Sequence, residues 1–410
     1  MKRKVIKLLK RVAIVFSILT LTILSFSIYF VATGKTNKLW TFALGAQAAG
    51  VSPPVFEETF WKFDRILPVR TIKRSDTPYK FGRRKVDLKA TYEYQGRKYT
   101  IEEFLEHTKT SGFLVLKGDN IVYERYLRGS DENSLFTSFS MAKSFVSAMV
   151  GIAIEEGHIE SVDDPITKYV PKLKETGYDE VPIKHILQMS SGVGFSGNWG
   201  YFNPFSGLWG LYEKIILFDE PIEDYLAKRK SIRKSGEYFH YQPIDTLTLG
   251  MLLSRTTGET LCAYMEEKIW QPIGMESDAS WNIDSKGVEF AAAFLNVTLR
   301  DYAKFGRLYV NKGKWGGKQV VPERWVIEST TPDSPHLQPG KTDDRCGRGY
   351  QYQWWIPKDS GGEFMALGHF GQFIYVYPKK GIVIVKTSVY RKSYFDECLA
   401  AFRAIADYLR

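Results

Sequence analysis

Beta-rich hairpins stand at both ends of the main body of this chain, with mostly helical signals between them. That order constrains the fold more than any other feature. At the front, "GFLVLKGDNIVYERYLRG" sets Phe113–Leu116 and Ile121–Leu127 on either side of Gly118-Asp119-Asn120, a hairpin pattern. At the back, "FIYVYP" and "GIVIVKTS" are joined through Pro378-Lys379-Lys380-Gly381. A last helix follows, with Phe395, Cys398, Leu399, Phe402, Ile405 and Leu409 at three-four spacing along one face. Between the hairpins, "TLRDYAKFGRLYV" has a capping-box pattern in Thr298 and Asp301. The expected fold is α+β, an α/β sandwich. Its antiparallel sheet is built from both ends of the domain and flanked by helices, with an inserted, mainly helical lobe over about residues 140–300. A site belongs in the cleft between sheet and lobe.

Length and composition fit this. A chain of 410 residues with 44% hydrophobic and 25% charged content has material for a full core and is not disordered. Six of its ten formal net positive charges come from Lys2, Arg3, Lys4, Lys7, Lys10 and Arg11. No dense basic patch remains beyond "KRKSIRK" at 228–234, which reads as a solvated face, so nucleic acid is not an expected partner.

The basic cluster runs into an uncharged stretch from Val12 to Gly34, long enough as a helix (about 35 Å) to cross a hydrocarbon core. The nearest A-x-A, Ala46-Gln47-Ala48, lies far downstream for a signal-peptidase site, so an uncleaved single-pass anchor is expected. The cations ahead of it place residues 1–11 in the cytoplasm as a basic stub and the catalytic body in the periplasm or outside the cell. Residues 35–85 read as a tether that partly packs on the domain, and 86–410 as the domain itself. Cys262, Cys346 and Cys398 lack pair spacing, one bridge staying open, and Cys262 reads as a packed small side chain. Histidines and cysteines never fall at ligand spacing, so no metal is expected, nor any organic cofactor.

Several motifs fail on context. Gly192-Val193-Gly194-Phe195-Ser196-Gly197 spells G-x-G-x-x-G but follows a helix-like run and opens no helix. The same loop misses a nucleophile elbow, having Asn198 where the last glycine belongs. S-x-x-K occurs twice. Ser231-Ile232-Arg233-Lys234 sits among charges and reads as surface. Ser140-Met141-Ala142-Lys143 precedes Phe145, Ala148, Met149, Ile152 and Ala153, an apolar helical face that Gly157 can end. Ser140 is expected in the first turn of that helix, with Lys143 on the same side. For Lys143 to act as a base near neutral pH, its pKa must fall by about 3 units, an environmental cost of roughly 4 kcal/mol.

Further along, "GEYFHYQPIDTLTLGMLLSRTTG" supplies Phe239-His240-Tyr241 and then Asp245-Thr246 opening an apolar helix that ends at Gly258. "ALGHFGQFIYVYP" puts His369-Phe370-Gly371-Gln372 at the start of a strand. The ordered set Ser140-Lys143, Tyr241 and His369-x-Gly371 resembles the serine hydrolases of the β-lactamase and penicillin-binding fold. Within it, the set is most similar to the esterase and 6-aminohexanoate-dimer (nylon-oligomer) hydrolase branch related to class C β-lactamases. "HILQMSSGVGF", "DYAKFGRLYVNKGKWGGKQVVPERWV" and "YQWW" carry the likeness too, which covers roughly residues 90–410.

The resemblance implies Ser140 as nucleophile, Lys143 as its activator and Tyr241 as the group that shares the proton and passes it to the leaving group. Either Lys143 or Tyr241 can be the base. It also implies an oxyanion hole from the backbone N–H groups of Ser140 and Gln372. His369 stands in place of the lysine of Lys-Thr-Gly, and Gly371 leaves room for substrate. Two departures weaken carboxylate recognition: Tyr241-Gln242-Pro243 lacks the usual third-position amide, and His369-Phe370-Gly371 lacks a permanent cation and a hydroxyl. A neutral small-molecule amide or ester is the expected substrate. A D-alanyl peptidase or cell-wall amidase, or a non-catalytic sensor, are the alternatives. Trp199 and Tyr201, with Phe202, Phe205 and Trp209, are candidates for a cleft wall; His240, Trp354 and Trp355 read as structural. Oligomeric state is left open.

Overall fold

The computed structural model describes residues 67–195, 213–389 and 395–409, with a few positions between 24 and 64 and at 210–211. In chain order its main strands are β1 (Val69–Ile72), β2 (Gly82–Arg83), β3 (Thr110–Lys117), β4 (Asn120–Tyr126), β5 (Phe136–Thr137), β6 (Ala279–Asn282), β7 (Leu295–Val297), β8 (Gly349–Gln351), β9 (Trp354–Ile356), β10 (Phe364–Gly368), β11 (Gln372–Tyr377) and β12 (Ile382–Ser388). The principal helices are α1 (Ile101–His107), α2 (Ala142–Glu155), α3 (Pro243–Thr257), α4 (Leu299–Val310) and α5 (Phe395–Tyr408).

The two hairpins meet as expected. The large sheet runs β8-β9-β10-β11-β12-β3-β4-β2, and β12 pairs antiparallel with β3, Ile384 opposite Val115. All its pairings are antiparallel except β2 with β4. Side chains of its central strands alternate between its two faces. Leu114, Leu116, Ile374, Val376, Val383 and Val385 pack with Phe145 of α2 and Phe305 of α4, while Phe113, Val115, Phe373, Tyr375, Ile382 and Ile384 pack with Phe104 of α1 and Phe402 of α5. On the first face the rings of Phe145 and Phe305 stack with centroids 3.6 Å apart. Trp354 and Trp355 are both buried, on opposite faces.

Several expectations are revised. Within the mainly helical lobe, β6 and β7 join β1 and β5 in a second sheet of order β1-β6-β7-β5. The domain also begins before residue 86, because β1 pairs with β6 and β2 with β4, and Leu67, Ile72 and Phe81 are buried. Thr298 caps α4 by accepting from the Asp301 N–H, and its hydroxyl donates to Asp301 Oδ2 (3.0 Å), but the carboxylate takes the backbone N–H groups of Glu276 (2.8 Å) and Ser277 (3.0 Å) instead of the Thr298 N–H, so only half a capping box forms. α3 starts two residues early, with Pro243 at its first position. Cys262, Cys346 and Cys398 are all free thiols.

The anchor expected over 12–34 lies mostly outside the described residues. Leu24, Ile28 and Val31 are helical and exposed, and among the described residues no helix is long and apolar enough to cross a membrane.

Candidate active site

Ser140 is held by a strained turn between the small sheet and α2. Ser138 donates its N–H to Leu295 O (2.7 Å), and its hydroxyl accepts from Leu295 N (3.0 Å), which ties the chain to β7. The next residue, Phe139, has φ +42°, a left-handed conformation that costs a bulky side chain on the order of 1–3 kcal/mol. Its ring is wedged against Phe370 (centroids 5.2 Å apart), Phe294 (5.8 Å) and His369 (6.1 Å), which keeps the turn in place. Ser140 therefore sits in a short 3-10 turn, Phe139–Met141, ahead of α2 rather than in its first α-helical turn.

Lys143 enters from α2 into a dry setting, 2% exposed. Its Nζ donates to Ser140 Oγ (3.0 Å) and to Ala292 O (2.6 Å), and burial pulls its pKa down to about 7. The Ala292 carbonyl has no side-chain signature, so sequence reasoning could not find it.

Tyr241 completes the group. Its ring centroid lies 5.3 Å from the Lys143 ammonium, and the phenol hydrogen-bonds with Ser140. Burial pushes that phenol up to about 12, against the hydrogen bonds with Ser140 and Trp355 and the nearby Arg348 guanidinium. Trp355 (5.0 Å) and Tyr350 (5.9 Å) pack against the ring. The segment around Tyr241 is not a strand, and His240 points instead toward Asp343 (3.7 Å).

The altered residue after Tyr241 turns inward. Gln242 Nε2 donates to Ser191 Oγ (2.9 Å) and to Asp245 Oδ1 (3.0 Å), so its amide does not replace the one missing at Pro243. Asp245 also accepts from Tyr178 (3.0 Å) and Ser191 (2.7 Å), and burial raises its carboxyl to about 7. This polar knot fixes the start of α3. It was not foreseen, although Gln242-Pro243-Ile244-Asp245 gave a signal for it: an acid in the first turn of an otherwise apolar helix.

The opposite wall is the β10–β11 turn. A Cβ on Gly368 would stand 2.2 Å from Ser138 O, so a glycine lets the end of β10 lie directly against the Ser140 turn. Phe370 (φ +61°) and Gly371 (φ +87°) reverse the chain into Gln372. The Gln372 side chain is tied down, donating to Ser388 O (2.6 Å) and accepting from Ser388 N (3.2 Å). A Cβ on Gly371 would face Ser388 and the Lys386 ammonium, so the requirement for glycine there is conformational. His369 is packed against Phe370 (3.9 Å between centroids), and burial pulls it down to about 3, which keeps it neutral. The fold thus gathers Ser140, Lys143, Tyr241, His369, Gly371 and Gln372. Trp199, Tyr201, Phe202, Phe205 and Trp209 lie outside the described residues.

Comparison with known proteins gives the chain a family. The Beta-lactamase family model matches residues 98–406. The chain is 29% identical over 345 residues to a 6-aminohexanoate-dimer hydrolase of Paenarthrobacter ureafaciens, covering 80% of this chain and 84% of that protein. In structure it is similar to a candidate 6-aminohexanoate-dimer hydrolase from Bacillus anthracis, with a TM-score of 0.79 and 27% identity over 87% of this chain and 94% of the other. A penicillin binding protein from Bacillus halodurans shares the fold alone, at a TM-score of 0.58 and 18% identity over 75% of this chain and 98% of that one. The chain belongs to the β-lactamase family and is a serine hydrolase of that fold.

Proposed function

We propose that the protein hydrolyses a small neutral amide or ester through an acyl-enzyme on Ser140. Lys143 is the base, because a burial-depressed ammonium near 7 is substantially deprotonated at neutral pH while the Tyr241 phenol stays protonated. Ser140 Oγ gives its proton to Lys143 Nζ and attacks the carbonyl. The oxyanion rests on the backbone N–H groups of Ser140 and Gln372. Tyr241 relays the proton to the departing amine or alcohol, and water then releases the acyl group by the same route in reverse. The single observation that carries this reading is the buried Lys143 Nζ at 3.0 Å from Ser140 Oγ, beside the Tyr241 ring.

Neutral His369 in place of a cation argues against a free carboxylate on the substrate, and so against D-alanyl peptidase activity. The Arg348 guanidinium nearby is already paired with Asp344. The likeness to a 6-aminohexanoate-dimer hydrolase supports an amide as the bond cleaved, without bearing on the charge of the substrate's ends. The uncharged run Val12–Gly34 behind six cations supports tethering of the domain on the outer side of a membrane. The test is covalent labelling with a fluorophosphonate probe: Ser140→Ala abolishes it, and persistent labelling of that variant would reject the assignment.

A further inference from the structure

Under the turn that leads into Gln372 lies a second buried lysine, which the chemistry above does not use. Lys386 is 1% exposed in β12, with Phe373 and Phe113 as its cross-strand neighbours. It therefore faces the α1–α5 layer, on the side of the sheet turned away from α2. Its ammonium is 5.7 Å from the centroid of the Phe104 ring and 3.5 Å from where a Cβ on Gly371 would stand. A cation is thus enclosed among aromatic rings against the backbone of Gly371, one residue before the proposed oxyanion donor.

We propose that Lys386, as its ammonium ion, is a positioning residue for acyl transfer: it maintains positive potential behind the Gly371–Gln372 peptide, where negative charge develops on the tetrahedral intermediate. This rests on the acyl-enzyme reading of Ser140. In a dry interior such a charge acts over several ångströms without reorganising.

The groups that face Lys386 sharpen the effect. From α5 come Glu397 and the Cys398 thiol; Glu397 is buried and accepts from Tyr92 (2.6 Å) and faces His107 Nε2 (2.7 Å) on α1, while burial pushes Cys398 up to about 12. From β12 itself comes Ser388, whose hydroxyl donates to Thr108 O (2.6 Å). Burial pulls Lys386 down to about 8, with Cys398 and Glu397 opposing that shift. When Lys386 loses its proton, the positive potential behind the oxyanion site is lost. Lys143 must be neutral and Lys386 charged. Acylation should therefore rise through about pH 7 and fall through about pH 8.

The experiment measures the fluorophosphonate acylation rate of the full chain at saturating probe from pH 6 to 10, corrected for probe hydrolysis, for wild type and Lys386→Met. Wild type is expected to lose about tenfold between pH 7.5 and 10. Lys386→Met is expected to be about tenfold slower at pH 7.5, with its half-saturating probe concentration unchanged, and to lack the alkaline fall. A wild-type rate that rises through pH 7 and stays level to pH 10 overturns the proposal, as does an alkaline limb retained in the variant. If Lys386→Met does not fold, the wild-type limb alone decides. A wild type that takes no label at any pH would instead reject the Ser140 reading on which this one stands.

Discussion

Ser140–Lys143 and Ser231–Lys234 share one four-letter spacing, and the fold treats them in opposite ways. Lys143 is 2% exposed, donates to Ser140 Oγ, and is pulled down to about 7 by burial. The Lys234 side chain is 79% exposed, pairs with Glu237 at 2.7 Å, and is held above its usual value by that carboxylate. Ser231 Oγ turns to Arg233 O (3.1 Å) instead of its lysine. The spacing alone specifies nothing. What separates the two is the apolar periodicity behind the first motif, which drives α2 into the core and carries the lysine out of water with it.

The largest consequence is kinetic. Lys143→Met should slow fluorophosphonate labelling by about 10³-fold, the usual worth of a positioned base. Lys234→Met should leave it unchanged within about a factor of two. Equal losses in the two variants would erase the distinction.

The next effect has the opposite sign, on stability. The unfolded Lys143 titrates near 10.5 and the folded one near 7, so between these pH values the unfolded chain binds more protons and stability rises with pH. The cost of burying the ammonium is fully present below about pH 7, is about 5 kcal/mol, and disappears toward pH 10.5. Lys143→Met should therefore be more stable than wild type at pH 6, partly offset by the lost bond to Ala292 O, with an advantage that shrinks by pH 10. Urea unfolding at both pH values measures it. An advantage independent of pH would mean that Lys143 is not titrating inside the fold.

A third contrast concerns the walls rather than the motifs. A Cβ on Gly368 would meet the Ser138 carbonyl at 2.2 Å, which is backbone and cannot yield without moving the Ser140 turn. A Cβ on Gly194, beside the second motif, would meet Ile232 Cγ2 at 2.9 Å, a side-chain methyl that can swing away, and the Lys230 carbonyl at 3.1 Å, which needs to give by only a few tenths of an ångström. Gly368→Ala should slow labelling by up to about 10²-fold through misplacement of Ser140, and Gly194→Ala by less than about twofold. Stopped labelling assays on the two variants decide it.

The contrast also marks what the sequence made legible. The hairpins, α2, α4, α5 and the Ser140–Lys143 pair were readable because each rests on periodicity or on fixed short spacing, whereas Tyr241 was reached through the family resemblance. β6 and β7 were not, since Ala279–Asn282 and Leu295–Val297 are buried on all sides and lack the alternation that marks a half-exposed strand. The start of the domain was placed too late because β1 and β2 gain their pairing from chain far away, at β6 and β4. At the site, groups acting through their backbone, such as Ala292 O, and groups that matter through distant neighbours, such as Lys386, leave no local trace. Gly371 illustrates the same limit: its type was legible, but the direction a side chain there would take was not.

The smallest expected effect tests the second motif most directly. Ser231 and Lys234 lie on an exposed turn, yet the backbone around them is fixed: Ile232 N and Arg233 N both donate to Gly192 O, at 2.9 and 3.1 Å. Those bonds belong to the main chain and survive side-chain replacement. The Lys234–Glu237 pair is solvent-screened and contributes little. The double variant Ser231→Ala, Lys234→Met should thus match wild type in labelling rate and in melting temperature to within about 1 °C. A clear drop in labelling with the melting temperature unchanged would bring this turn into the substrate cleft, and the second S-x-x-K would then act in binding though not in catalysis.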